Sequence, residues 1–442
     1  MAEVLTEIKL AFQNNDDFLC IEQQYDDVHL VFLGLNSLID FPSTMQGIEH
    51  TILTAALHVE TLLLIQNLGN KVETVERVES EILECNLVIY IPLNRCFVSV
   101  KPTPQTLERS IEPPSEESAI NGPKSAFNES LLTNQGLMRK QLISKQLIVN
   151  TFTLGKEEKN HLSLLYLKDK ANEQLIHSII NQIKRKQNNN VNTTQDMMKL
   201  FEFSPWTIIP KFHTTELPQE ASQALLNGKV TLMINRIPFA FILPSLFSDM
   251  VFLENDKNLL YPFMLLIRFL RVLGILIAVI VPGLYVALVA VNPEVLRIEL
   301  ALSVAQSREG VPYPAIVEVL LMLLVLELIL EASVRLPKSI GPTITMVGGI
   351  ILGQAVVDAK LVSNLLIIIL AATLIANSTV IGYQNAISIR FLKYIIVILA
   401  SIYGILGVLA GIFIICSYLA SLKVFNIPYL KLQPEKDGSF SE

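Results

Sequence analysis

Only four cysteines occur in 442 residues, Cys20, Cys85, Cys96 and Cys416, and no two are spaced as C-x-x-C. They supply neither a zinc site nor a disulfide framework, and read as reduced thiols. The six histidines (His29, His50, His58, His161, His177 and His213) are isolated. His50 and His58, two helical turns apart, cannot share one metal. The sequence has no G-x-G-x-x-G, no Walker loop and no G-x-S-x-G. Sequence support for a nucleotide, a cofactor or a catalytic nucleophile is therefore missing, and no enzyme is expected. A net charge of -7 gives nucleic acid no electrostatic footing. The opening residues, MAEVLTEIKLAFQNNDD, lack the positive start and apolar core of a secretory signal.

What is present is an asymmetry. The chain is 51% hydrophobic and 17% charged, and most of the charge precedes residue 260. From Val272 to Leu419 an apolar block runs almost without a break, cut by glycines, prolines and a few charges. The expected architecture is an α/β soluble N-terminal region of two small subdomains, followed by an α-helical polytopic membrane domain. The expected boundaries are 1–105 and 106–258 for the subdomains, 259–425 for the membrane domain and 426–442 for a polar tail. With no export signal ahead of the first span, the N-terminal region is expected to stay cytoplasmic.

In the first subdomain, 29–33 and 87–91 are short runs of buried-strand character, and 46–68 carries apolar residues at helical spacing. Residues 101–115 read as a connector. In the second subdomain Ser125 is the expected cap of a helix through Arg139, and 162–167 is a strand candidate. Glu173 to Lys186 reads as an amphipathic helix with Leu175, Ile179, Ile180 and Ile183 on one face. Lys184-Arg185-Lys186 beyond it reads as a solvated helix end, with lipid headgroups the weaker alternative. Pro218 to Asn227 has proline at its start and Gly228 past its end, as a helix should. Lys229–Ile234 and Phe239–Leu243 flank a turn, Asn235 to Pro238, and read as a hairpin.

A bilayer span needs roughly 20 apolar residues. Five segments qualify or nearly do: 265–291, 314–334, 340–357, 361–381 and 391–419. If the first leaves the cytoplasm, Arg268, Arg271, Arg335, Lys338, Arg390 and Lys393 share the cytoplasmic side. Arg297, Arg308 and Lys360 fall on the other, and five spans put the C-terminus outside. Pro282 and Gly283 predict a kink in the first span. Residues 292–310 are amphipathic and suit a helix in the interface.

The second span carries Glu318, Glu327 and Glu331 and ends in Arg335. Charges at membrane depth mark function or structural pairing; an Arg335–Glu331 pair with contacts to another helix is one reading, and Glu318 lies near enough to the interface to be hydrated. In the third span Gly341, Thr345, Gly349 and Gly353 form a small-residue stripe suited to close helix packing. Thr343, Val347, Ile350, Gln354 and Asp358 fall on a separate face. Close packing alone, or packing combined with a narrow lumen, would explain the two faces.

Longer segments carry a resemblance. VPGLYVALVAVNPEVL, SREGVPYPAIVEVLLM, EASVRLPKSIGPTITMVGGIILGQAVV, GYQNAISIRFLKY and FNIPYL occur in that order. PPSEESAINGPKSAFNESLLTNQGLMRK and LLNGKVTLMINRIPFAFILPSLF precede them. Together they resemble the A subunits of GerA-type nutrient germinant receptors of endospore-forming bacteria, over roughly residues 105–430. Asn292 stands where relatives often carry histidine. The resemblance implies a complex in the spore inner membrane with a transporter-like B subunit and a lipoprotein C subunit. It also implies a ring of A subunits whose helices form a cation pathway, and two α/β subdomains in the head.

The resulting expectation is a membrane subunit that forms an oligomeric, ligand-gated cation conduit. Thr343, Val347, Ile350 and Gln354 are the candidate gate, and Gly341, Thr345, Gly349 and Gly353 the candidate packing face. The alternatives are a proton- or cation-coupled secondary transporter using Glu327 and Glu331, and a membrane-anchored assembly scaffold.

Overall fold

A computed structural model describes residues 2–25, 28–55, 68–103, 125–156, 158–336 and 341–431. The chain forms two compact units, Met1–Thr207 with Lys211–Pro244, and Ile208–Pro210 with Ser245–Glu442.

One arrangement occurs twice in the first unit. Helix α1 (Ala2–Ala11), strands β1 (Phe18–Tyr25) and β2 (Val28–Leu35), α2 (Phe41–Ala55), β3 (Asn70–Val72), α3 (Val75–Leu83), β4 (Leu87–Ile91) and β5 (Cys96–Val100) form the first subdomain. Its antiparallel sheet has the order β1-β2-β4-β5-β3. Helix α4 (Leu131–Gln141), β6 (Leu147–Leu154), β7 (Asn160–Leu167), α5 (Glu173–Arg185), α6 (Thr194–Leu200), β8 (His213–Thr215), α7 (Pro218–Leu226), β9 (Val230–Ile234) and β10 (Ala240–Leu243) form the second. Its sheet, β6-β7-β9-β10-β8, repeats the first strand for strand. By its sheets the head is a tandem repeat that its sequence does not advertise.

Burial explains the elements. All five residues of β4 are buried, and α3 covers the sheet through Val78 and Ile82, one helical turn apart. The buried stripe of α5 is Leu175, Ile176, Ile179 and Ile183, so Ile176 takes the place expected of Ile180. Ser130, not Ser125, caps α4, accepting from the Thr133 amide. Residue 128 is held outside the helix because the Asn134 side chain accepts from the Asn128 amide and donates to its carbonyl. Helix α2 starts earlier than expected, and residues 56–67 and 104–124 lie outside the described residues.

The two subdomains meet through a polar joint. Arg139 is buried and donates through Nε and Nη2 to both oxygens of Asp17, at 3.0 and 2.8 Å. It also donates to the Asn15 side chain and the Leu147 carbonyl, each at 2.9 Å. The Asp16 amide donates to Val149, and the Val149 amide donates to Asn15 Oδ1. A loop of the first subdomain thereby covers the free edge of β6, the position where an exposed strand would recruit another chain.

The second unit is helical: α8 (Tyr261–Val286), α9 (Ile298–Ser307), α10 (Ala315–Arg335), α11 (Gly341–Asp358), α12 (Asn364–Asn377) and α13 (Tyr383–Ser421). Residues 245–258 pack with it, as Asp256 pairs with Arg271. Among the described residues two helices are long and apolar enough to cross a membrane, Tyr261–Val291 and Tyr383–Ser421. Met346–Asp358 and Asn364–Asn377 are shorter apolar helices. Helix α8 runs unbroken through Pro282, and what changes is its last turn, Ala287–Val291, which is π-helical. Gly283 permits close contact: a Cβ there would lie 2.6 Å from Ile396 Cγ2.

Helix α13 corrects the expected fifth span, 391–419. Gly404 has φ 61° and ψ -134°, outside the helical region, and there the chain reverses. A Cβ on Gly407 would lie 2.5 Å from the Leu399 carbonyl carbon, and one on Gly411 only 2.9 Å from Ile396 Cγ1. Such approaches, symmetric about Gly404, require two antiparallel arms, 383–403 and 405–421. At about 1.5 Å per residue the arms are about 31 and 26 Å long. The returning arm ends beside the start of the unit, where Tyr418 accepts from the Ile208 amide and the Phe247 amide donates to the Tyr429 carbonyl. The chain thus leaves the bundle at the end where it entered, and not at the opposite end as five spans required. The reversal was hidden in the sequence because Ile402 to Val408 is apolar throughout apart from its glycines.

Candidate functional site

Contacts divide the helical unit into two ends. At one end Gly274 of α8 meets Ala376 and Thr379, Met250 accepts from the Ile381 amide, and Glu327 of α10 pairs with Arg390. At the other end Arg308 lies by Glu318, Gly310 by the Lys360 side chain, and Asn292 by Gly404. Arg268, Arg271, Arg335, Arg390 and Lys393 therefore gather toward the end where residues 208 and 247–250 lie. Lys338 lies outside the described residues.

The charges of α10 separate by role. Glu331 and Arg335 form an exposed pair on one helix, 2.6 Å apart. Glu327 faces inward and accepts from Arg390 Nη1 at 2.9 Å and Lys393 Nζ at 3.2 Å. Glu318 is not hydrated: it is 0% exposed. One of its oxygens accepts from the Ser363 amide at 2.6 Å, and the other lies 3.4 Å from Arg308 Nε. Ser363 is the N-cap of α12, so the carboxylate sits at the positive end of a helix dipole. The Ser363 hydroxyl is 3.0 Å from that of Tyr285. This knot ties α8, α10, α12 and the segment after α9 together.

Helix α11 has no comparable polar anchoring among the described residues. It packs on α10, while Val356 and Val357 reach the core formed with α12. Its other described positions face outward. Thr343 and Gln354 are exposed, Val347 is 46% exposed and Ile350 59%. A Cβ built on Gly348, Gly349 or Gly353 would meet nothing within 4 Å. The candidate gate, and Gly349 and Gly353 of the candidate packing stripe, are thus bare in a single chain. The side-chain positions of Gly341 and Thr345 lie outside the described residues.

Helix α9 has no buried residue, and its Ile298, Leu300 and Leu302 are exposed. Between it and α8, Asn292 accepts from the Ile405 amide at 3.1 Å, capping the second arm of α13, and donates to Glu294. That amide holds the exposed Glu294 carboxyl below its usual range. At the opposite end burial pushes the Tyr429 phenol up.

Sequence reasoning missed the partners more than the groups. Arg390 and Lys393 counted only toward charge sidedness, although their i, i+3 spacing puts them on one face. Asn292 and Gly404 carried no local signal of contact, being more than one hundred residues apart.

The family described as Bacillus/Clostridium GerA spore germination protein matches residues 6–437. Spore germination protein B1 of Bacillus subtilis (strain 168) is 34% identical over 338 residues, 76% of this chain and 70% of that protein. Spore germination protein A1 of the same strain is 31% identical over 359 residues, 81% of this chain and 74% of that protein. Among solved structures, the N-terminal domain of the A subunit of the Bacillus megaterium spore germinant receptor GerK3 is 19% identical. Its TM-score is 0.41, covering 56% of this chain and 95% of that one. On the match from residue 6 to 437 and these identities, the chain belongs to the GerA family of spore germination proteins.

Proposed function

We propose that this protein is the A-type subunit of a nutrient germinant receptor. Its helical unit lies in the spore inner membrane and its N-terminal region in the cytoplasm. It acts with a transporter-like B subunit, a lipoprotein C subunit and further copies of itself, without catalysing a reaction. Copies assemble into a ring whose lumen conducts cations when nutrient is bound elsewhere in the complex.

The observation that carries this reading is α11. Its exposed apolar side chains and Gly348, Gly349 and Gly353, where a Cβ would meet nothing within 4 Å, are suited to lipid and to neighbouring copies rather than water. Glycines at four-residue spacing let helix backbones approach closely. With that stripe against a neighbour, Thr343, Val347, Ile350 and Gln354 turn toward the ring axis. Branched apolar side chains close a narrow pore by dewetting, and the flanking polar groups receive an ion when it widens. Nutrient favours the open packing by its differential affinity for the two states.

The ion pairs bear on the transporter alternative. Glu327 is engaged by two cations and Glu331 by one, so each carboxylate already serves a structural pair within this chain. A simple anchor would not need the glycine stripe. Val347→Ala, which trims the constriction, is expected to release spores from dormancy without nutrient. Spores of that variant that stay dormant and respond normally to nutrient would remove α11 from the gate.

A further inference from the structure

In the membrane, the cluster around Glu327 carries one more positive than negative charge. Glu327 supplies one carboxylate to two cations, Arg390 and Lys393. No other acidic residue lines the two cavities beside it. The surplus is one positive charge, about eight residues or 12 Å along α10 from its Arg335 end. A lone charge at such depth is costly until an anion or water reaches it.

The place where an anion would reach it is open. A groove of about 550 Å³ lies between α10 and the first arm of α13, with Glu327, Arg390 and Tyr394 at its polar side. Leu320, Leu324 and Phe391 form its apolar walls, and Leu324 and Phe391 are each 60% exposed. Arg390 uses Nη1 on Glu327, and its planar guanidinium carries further N–H donors.

We propose that this groove binds the phosphate of an anionic phospholipid. Arg390 faces the phosphate, Lys393, buried beside the groove, answers the Glu327 charge, and Leu320, Leu324 and Phe391 lie along the acyl chains. The inference rests on the membrane placement proposed above. Charge complementarity selects an anion, and the planar guanidinium is matched to phosphate geometry. Basic pockets between helices on the cytoplasmic side are suited to lipid headgroups. The exposed apolar walls select a lipid over a soluble anion, which would gain nothing from them. Arginine's long stem lets its head reach toward the interface, shortening the distance the phosphate must descend. Glu327 then acts as a positioning residue, holding Arg390 at the groove while its own charge is answered by Lys393 behind it.

The test uses the full-length chain. Resistance of membranes to alkaline extraction first establishes insertion; a chain released to the soluble fraction would refute the membrane placement itself. The inserted protein is then transferred to nanodiscs of phosphatidylcholine with increasing phosphatidylglycerol, and retained lipid is measured by native mass spectrometry. Phosphatidylglycerol should be retained at least about fivefold over phosphatidylcholine, the worth of one cation near an anionic headgroup. Arg390→Gln and Lys393→Gln should each abolish the preference. Glu327→Gln, which leaves both cations and removes their counter-charge, should raise it, so the outcome does not depend on a variant that fails to fold. A structural ion cluster with no lipid predicts no headgroup preference in the inserted wild type, and that result would overturn the proposal. So would a preference surviving both cation substitutions, or inorganic phosphate at equal concentration displacing the retained lipid.

Discussion

Reversal of the chain at Gly404 sets how many times the apolar helices traverse the bundle, and it can be trapped covalently. A Cβ at position 411 lies 3.5 Å from Ile396 Cβ, within the roughly 3.5–4.5 Å that a disulfide bridges. In a straight helix fifteen residues would separate these positions by about 22 Å, beyond any disulfide. The perturbation is Ile396→Cys with Gly411→Cys, in a chain whose Cys20, Cys85, Cys96 and Cys416 are changed to serine. At Gly411 the tightest neighbour is Ile396 Cγ1 at 2.9 Å, an atom the first substitution removes, so the pair relieves its own crowding. The closed loop of about 15 residues should add about 3 kcal/mol to the stability of the oxidised protein. Mild oxidation in native membranes, followed by denaturation and maleimide mass-tagging, counts free thiols. An untagged monomer is expected, becoming doubly tagged after reduction. Two tags without reduction, or a disulfide-linked dimer, would refute the hairpin.

Gly404→Ala should cost about 2–4 kcal/mol. Of this, about 1–3 comes from a backbone conformation essentially restricted to glycine, and about 1 from losing the Asn292 cap that a Cβ would displace. Thermal unfolding in detergent checks it, with Asn292→Ala expected to show the capping part alone. In the head, Arg139→Met should cost about 3–5 kcal/mol, because it leaves the Asp17 carboxylate buried without its cation. Urea unfolding of the full chain followed by limited proteolysis at the subdomain joint measures that loss; a variant as resistant as the wild type would show the ion pair to be idle.

Legibility in the sequence followed the range of the forces involved. The β9–β10 hairpin and the α7 helix could be read because their signals are local: a turn between two apolar runs, and a proline and a glycine at the ends of a helix. The short strands β3 and β8, three residues each, hold too few side chains to show a period. The tandem repeat stayed hidden with them. Ser130 was passed over as a cap because the Asn128–Asn134 exchange that excludes the preceding residues needs the folded turn.

In the helical unit, apolar content pointed to membrane helices but could not place Gly404. The turn there lies against Asn292, a partner separated from it in sequence by α9 to α12. The glycine stripe of α11 was visible as a pattern. Its bareness was not, because exposure depends on where α10 and α12 leave off. Glu327, Glu331 and Glu318 were all legible as unusual charges, yet their separate surroundings come from Arg390 and Lys393, from Arg335, and from Ser363 with Arg308.

The proposed function has this chain, with its partner subunits, pass ions on command. The measurement that reaches it most directly is current across planar bilayers holding the purified complex, recorded before and after addition of the germinating nutrient. Expected are a quiet membrane without nutrient, discrete cation currents with it, and currents without nutrient for Val347→Ala. A complex that binds nutrient while the membrane stays silent, for wild type and variant alike, would contradict it.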